Sequence, residues 1–374
     1  MIFGWQKNIL KRGISLKISK ITFYRLKSGI IIVSVLSSDG IEGIGQFIGY
    51  CFNSQKNYFE ELIKPRLINK KININKIWDE LYWYAHGKNG WLQVISAINI
   101  ALYDLVAKSK KIPLCKYLQL DIKKKNKMYW SIGHGYLKSI KEMQKKIDMG
   151  LKLGFKAFKI RMDWHELRRD INPKKDFQML KAVRKMLPKE YYLAFDANAG
   201  YSPEVAIYQG KLFENLGGIS HFEEPVATND LFSLKKVVDS LNIPISFGEY
   251  EKTSNRFLEI MKISRPDIIQ PDLLNIGGIT EFLKLFNLIE KKKVKVMPHS
   301  PDIGILCFAS LHMSCKYSNL PHEFSPELYN FNMTDHSKIF NENILPENGE
   351  IVLSENHHGL GLTLNKKELK KRLI

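Results

Sequence analysis

The most constraining feature of this sequence is a polar residue at the end of each of seven successive apolar segments. After Lys127 the chain alternates short, β-branched apolar runs with stretches of helical periodicity. Strands are expected at Met128–Gly133, Ala157–Met162, Tyr192–Asn198, Gly218–Glu224, Pro244–Glu249, Asp267–Asp272, Val294–His299 and Leu320–Phe324. Helix-like stretches such as Glu204–Leu216 and Thr280–Lys291 separate them. Eight strand–helix units predict an α/β fold, a (β/α)8-type TIM barrel. From the second strand onward the ends carry Lys159 with Arg161, Asp196, Glu223, Glu249, Asp272, His299 and Glu323. From Arg161 the steps are 35, 27, 26, 23, 27 and 24 residues, about one strand–helix unit each. In a barrel the C-terminal strand ends share one mouth, so these residues are expected to form one site.

The chain before the barrel reads differently. Strand-like segments at Ile14–Leu26 and Gly29–Leu36 lead into a Ser37–Gly40 turn. Ile95, Ile98, Ala101, Leu102 and Leu105 then mark a helix over Gln93–Lys108. The expected division is an α+β capping domain over residues 1–125, the barrel over 126–340, and a C-terminal segment over 341–374. No Gly-x-Gly-x-x-Gly follows a strand, which argues against a dinucleotide site.

Composition narrows the function classes. The 374 residues carry 57 Lys+Arg against 38 Asp+Glu, a net charge of +19. The lysines are scattered, with only short runs at Lys123–Lys125 and Lys291–Lys293, so the charge reads as solvated surface and not as a nucleic-acid arm. No apolar run approaches the ~18–20 residues of a membrane span, and the first residues do not form a secretory signal. A cytoplasmic protein with neither nucleic-acid nor membrane partners is the expectation. Four scattered cysteines (Cys51, Cys115, Cys307, Cys315) lack metal-binding spacing and are expected to be buried free thiols.

Asp196, Glu223 and Glu249 fall on adjacent strands. Three converging carboxylates repel one another unless a cation neutralises them, and an all-oxygen set suits Mg²⁺. A carboxylate–Lys/Arg network is the competing reading. Asp272 beside His299 pairs a carboxylate with one imidazole nitrogen, raising the basicity of the other; a structural histidine is the alternative. Lys159 and Arg161, two apart on one strand, face the same way toward an anionic ligand, unless they are a solvated pair.

With these residues in place, the chain resembles the enolase superfamily, in its mandelate racemase-like subgroup. The segments DGIEGIGQ (Asp39–Gln46) and ISAINIALYDLVAKSKKIPL (Ile95–Leu114) are similar to the capping domain. GFKAFKIR, FDANAGYS, FEEPV, FGEY, QPDLLNIGGIT, MPHS and HEFSP follow in family order, and HHGLGL (His357–Leu362) resembles the segment that returns to the cap. The resemblance implies Asp196, Glu223 and Glu249 as Mg²⁺ ligands, with Asn198 and Glu224 as second-layer or substrate contacts. It implies Asp272–His299 as the acid/base dyad. Glu323, or less aptly Glu327, is implied to hydrogen-bond the substrate carboxylate. The muconate cycloisomerase-like subgroup uses a lysine on the sixth strand, and no Lys lies between Pro266 and Glu281.

The chain departs from the family pattern in three places. Arg161 stands where the second lysine of Lys-x-Lys is usual, and a guanidinium does not accept protons near neutrality. The first two strands join almost directly at Lys27-Ser28-Gly29, where the family places a specificity loop. The expectation is either a more open mouth or one covered by residues 1–13, including Trp5 and Arg12. His357 replaces a frequent proline. Tyr50, Phe52 and His134 are weaker candidates for substrate contact.

The resulting expectation is a dehydratase that abstracts the proton α to the carboxylate of a sugar acid, an aldonate or aldarate. It acts through an enediolate and releases a 2-keto-3-deoxy acid. A racemase or epimerase of a 2-hydroxy or amino acid is the first alternative, and a non-catalytic basic binding protein the second. The expected partner is a small carboxylate, and the resemblance implies a homo-oligomer.

Overall fold

The computed structural model describes residues 16–87, 90–133, 139–161, 169–290, 292–315, 319–327 and 332–374. Trp5, Arg12, His134 and Lys291 lie outside the described residues. The N-terminal region is an antiparallel meander of β1 (Ile18–Arg25), β2 (Ile30–Ser37) and β3 (Glu42–Ile48). Ile30 to Val33 and Val35 are wholly buried along β2, because this central strand is covered on both faces. The Leu92–Ser109 helix lies against β3 and buries Val94, Ile95, Ala97, Ile98, Ala101, Leu102 and Leu105. β3 itself was not expected as a strand. Its glycines dilute the strand signal, and they are there because the helix backbone comes too close for a Cβ: one on Gly45 would stand 1.9 Å from the Ala97 carbonyl oxygen.

The eight expected barrel strands all occur: β4 (Lys125–Ile132), β5 (Ala157–Arg161), β6 (Tyr192–Asp196), β7 (His221–Glu223), β8 (Ile245–Phe247), β9 (Ile268–Ile269), β10 (Lys295–Val296) and β11 (His322–Phe324). They are parallel, in the order β10-β9-β8-β7-β6-β5-β4-β11, so the last strand returns to the first. Among the described residues β10 and β11 exchange no ladder hydrogen bonds. The closed barrel expected from the strand count is therefore joined at seven of its eight seams. Tyr129, Ala157, Ile268 and Met297 cluster inside the curl, while the alternate residues face the helices.

The strand-to-helix loops end in side chains that cap the next helix. Ser139, Asn172, Ser202, Asp230 and Thr253 each accept a hydrogen bond from the amide three residues on, satisfying an otherwise orphaned donor. These caps pin the loops at the same end of the barrel as the polar strand termini.

β12 (Glu350–Val352) pairs antiparallel with the start of β4. The chain then runs back to the N-terminal sheet. Gly359 bridges to Pro113 and Leu373 to Leu26. Asp104, fully buried in the long helix, accepts hydrogen bonds from Ile44 N (2.9 Å), Leu360 N (2.7 Å) and Lys108 Nζ (2.7 Å). One carboxylate thereby holds β3, the helix and the C-terminal segment together.

No described helix is long and apolar enough to cross a membrane. The cysteines are all free, but only Cys115 and Cys307 are buried; Cys51 is exposed and Cys315 half-buried. Cys51 lies in the short turn after β3, outside either core.

Candidate active site

Strand register brings the polar ends together. Arg161 pairs with Asp196, and Asp196 with Glu223, in one row across the ends of β5, β6 and β7. Glu249 follows two residues after β8, and its ligand atoms lie within 4.8 Å of those of Asp196 and Glu223. All three carboxylates are buried. Asp272 and His299 stand beyond the ends of β9 and β10 and bridge each other in parallel.

Lys159 is wholly buried. Its Nζ is bonded to Glu223 and lies 3.2 Å from Glu323 and 3.6 Å from Asp196. Burial disfavours its charge, but Glu223, Glu323 and Asp196 more than compensate and hold its pKa well above the usual value. The same cation, against the opposing cost of burial, keeps Glu223 below the usual carboxylate range. Asp196 behaves otherwise. Burial and the Glu223 charge push it up to about 7, despite the nearby Lys159 and Arg161. Arg161 sits one step higher than Lys159, donates to Asn198 Oδ1 at 2.5 Å and lies 3.8 Å from Asp196.

Asp272 is held twice. Its Oδ1 caps the short Leu273–Ile276 helix, accepting from Leu274 N (2.7 Å) and Asn275 N (3.1 Å). Oδ2 is left for His299 Nδ1, at 2.9 Å. His299 Nε2 then faces inward, 3.3 Å from Glu249 and 3.6 Å from Glu323. Burial alone lowers an imidazole pKa, but Glu249, Asp272 and Glu323 outweigh it and raise His299 to about 10. The largest of these contributions is the Glu249 charge, which a cation held by the triad would offset, freeing Nε2 to accept a proton.

The remaining expected residues are less uniform. Glu224 is buried at φ +42° and accepts from the amides of Gly248 (2.7 Å) and Glu249 (3.3 Å), bracing the loop that carries Glu249. Asn198, at φ +47°, donates its backbone amide to Asp196 Oδ1 at 2.8 Å. Glu327 turns away: it accepts from Gly133 N and pairs with Lys146, both at 3.0 Å. Phe52 lies under the Arg25 guanidinium, Tyr50 is exposed, and His357 is exposed on the returning segment. The β1–β2 join is a tight turn in which Leu26 N donates to Ile30 O (2.9 Å) and Gly29 N to Leu26 O (3.0 Å), with Gly29 at φ +89°.

Sequence reasoning missed two residues that touch the carboxylates. His221 Nε2 lies 3.1 Å and Gln270 Nε2 2.8 Å from Glu223 Oε2. The available signal was parity: each lies two residues before a site residue within the same expected strand, so each is expected to face the same interior. Tyr250, half-exposed beside Glu249, was also passed over.

The donor set fits a hard cation. It is all oxygen and buried, and Asp196 Oδ2 accepts no hydrogen bond although it is sealed from solvent.

Comparison with known proteins agrees with this arrangement. Residues 12–118 match the family model described as mandelate racemase / muconate lactonizing enzyme, N-terminal domain, and residues 141–368 match enolase C-terminal domain-like. The chain belongs to the mandelate racemase / muconate lactonizing enzyme family. Within it, the chain is similar to an arabinonate dehydratase from Saccharolobus solfataricus, 31% identical, over 90% of this chain and 88% of the other. It is 33% identical to an L-Ala-D/L-Glu epimerase from Clostridium acetobutylicum, over 52% of each chain. A solved mandelate racemase/muconate lactonizing protein from Paracoccus denitrificans, complexed with magnesium, superposes with a TM-score of 0.87 at 26% identity, covering 96% of this chain and 99% of that one.

Proposed function

We propose that this protein is a Mg²⁺-dependent dehydratase of a sugar acid, a hydro-lyase converting an aldonate or aldarate to its 2-keto-3-deoxy product. The observation that carries the reading is the asymmetry of the site. On one side stands a proton acceptor, His299, oriented by Asp272. On the other stand two cations, and the outer one is Arg161, which does not give up its proton near neutrality. The arrangement provides one base, which suits elimination and not inversion.

Asp196, Glu223 and Glu249 would hold the Mg²⁺, and the ion supplies positive charge that offsets theirs and the charge developing on the substrate carboxylate. Lys159, already ringed by Glu223, Asp196 and Glu323, places a permanent charge against that carboxylate. His299 Nε2 takes the proton from C2, leaving an enediolate. The C3–O bond then breaks with return of a proton from His299, so that water departs and the enol left behind tautomerises to the 2-keto acid. Buried charge at the place where negative charge develops is usually the largest catalytic contribution. The arabinonate dehydratase relative, 31% identical over 90% of this chain, supports this reading, although epimerases match as well, one at 33% over 52% of the chain and another at 26% over 80% of it.

Incubation with Mg²⁺ and a panel of sugar acids in D₂O, followed by proton NMR, tests the proposal. A keto-deoxy methylene signal is expected. Deuterium at C2 of recovered substrate with inversion and no loss of water establishes the epimerase instead, and assigns a second base to the Lys159 side.

A further inference from the structure

We propose that His221, Gln270 and Tyr192 are positioning residues that set the affinity of the carboxylate triad for its cation by locking Glu223 from beneath. The inference rests on the metal reading above. Glu223 Oε2 receives both Gln270 Nε2 (2.8 Å) and His221 Nε2 (3.1 Å), and His221 Nδ1 lies 2.7 Å from the Tyr192 hydroxyl. A carboxylate offers no hydrogen, so the hydrogen between Glu223 and His221 rides on Nε2. Nδ1 is then the acceptor of a neutral ring, and Tyr192 donates into it, holding both tautomer and ring orientation.

Both lone pairs of Oε2 are thereby engaged, which fixes the plane of the carboxylate and keeps its other oxygen, Oε1, turned toward Lys159. His221 and Gln270 are both fully buried. An imidazole and an amide are expensive to desolvate, and the same interior elsewhere holds Tyr129, Ala157, Ile268 and Met297. Two polar side chains from different strands converging on one oxygen serve its orientation, which apolar packing does not provide. Groups behind a metal ligand govern affinity because a ligand free to rotate must be ordered when the ion binds.

Calorimetric titration of metal-stripped protein with Mg²⁺ alone tests this, with no substrate present. His221→Leu is expected to weaken Mg²⁺ binding about 10–100-fold, the range for lost outer-layer partners. His221→Gln, which keeps an N–H donor, recovers part of the loss. Tyr192→Phe produces a smaller loss, with the metal-free thermal midpoint unchanged, and carries the test if the leucine variant does not fold. Wild-type Mg²⁺ affinity in Tyr192→Phe, and in His221→Leu where that variant folds, overturns the inference while leaving the metal site standing. Absence of Mg²⁺ binding by the wild type overturns the metal reading and this inference with it.

Discussion

At the scale of single residues, the chemistry turns on which groups can change protonation. His299 Nε2 is the one imidazole nitrogen among the described residues aimed at the carboxylate cluster from the mouth, and Asp272 holds it there. Replacing His299 with Asn keeps a polar side chain but removes the proton acceptor. Turnover of the substrate found by NMR is expected to fall about 10²–10⁴-fold, with Mg²⁺ affinity little changed. Arg161 makes the complementary statement. Substrate recovered from partial turnover by the wild type is expected to keep its C2 configuration; the C2 epimer in that pool would show that a second base operates. Asp272 and His299 were legible from sequence because strand-end position is a local property. His221 and Gln270 were not, since a polar residue inside a strand reads equally as an interior defect or as a partner for something overhead.

At the scale of elements, the decisive contact of the N-terminal region is backbone on backbone. A Cβ on Gly43 would fall 2.0 Å from the Ala101 carbonyl oxygen, and one on Gly45 1.9 Å from that of Ala97. Alternate residues on β3 thus meet small residues one turn apart on the Leu92–Ser109 helix. Gly45→Ala is expected to destabilise the protein by about 3 kcal/mol, the upper range for overpacking. Gly40, at φ +79° with nothing within 4 Å of the Cβ position, carries only a backbone penalty, and Gly40→Ala is expected to cost ~1 kcal/mol. Urea unfolding of the two variants side by side checks the contrast. The same logic ties cap to barrel at Gly278, where a Cβ would meet Asn99 Oδ1 at 2.7 Å. Asn99 also pairs with Thr280 through both its amide nitrogen (2.8 Å) and its oxygen (3.1 Å).

At the scale of the whole molecule, buried histidines join parts distant in sequence. His312 accepts from Cys115 N at 3.2 Å and reaches Leu360 O at 3.3 Å, so it touches the cap, a barrel helix and the returning segment. Burial lowers His312 to about 4, and does the same for His322 and His336. Their unfolded values lie near 6.5, so between about pH 6.5 and 4 the unfolded chain binds protons that the folded one refuses. Stability from these groups is present above pH 6.5 and is lost as the pH falls toward 4. In that window the unfolding free energy of His312→Gln is expected to depend on pH less steeply than that of the wild type, by up to about 1.4 kcal/mol per pH unit. Equal slopes in urea titrations across the window would show that His312 is not held neutral.

The sequence by itself determined the alternation of strand and helix, the side of the barrel on which function collects, and the identity of the charged residues there. Each follows from local periodicity and from one polar residue per strand end, which neighbours in the chain already specify. Tertiary structure decided the rest. It joined seven seams of the barrel and set the Arg161–Asp196–Glu223 row in register. It buried Lys159 among three carboxylates, turned Glu327 toward Lys146, and aimed His221 and Gln270 at a single oxygen. Those outcomes depend on distances between residues tens of positions apart. Only packing sets such distances, and electrostatic interactions in a desolvated interior change steeply with them.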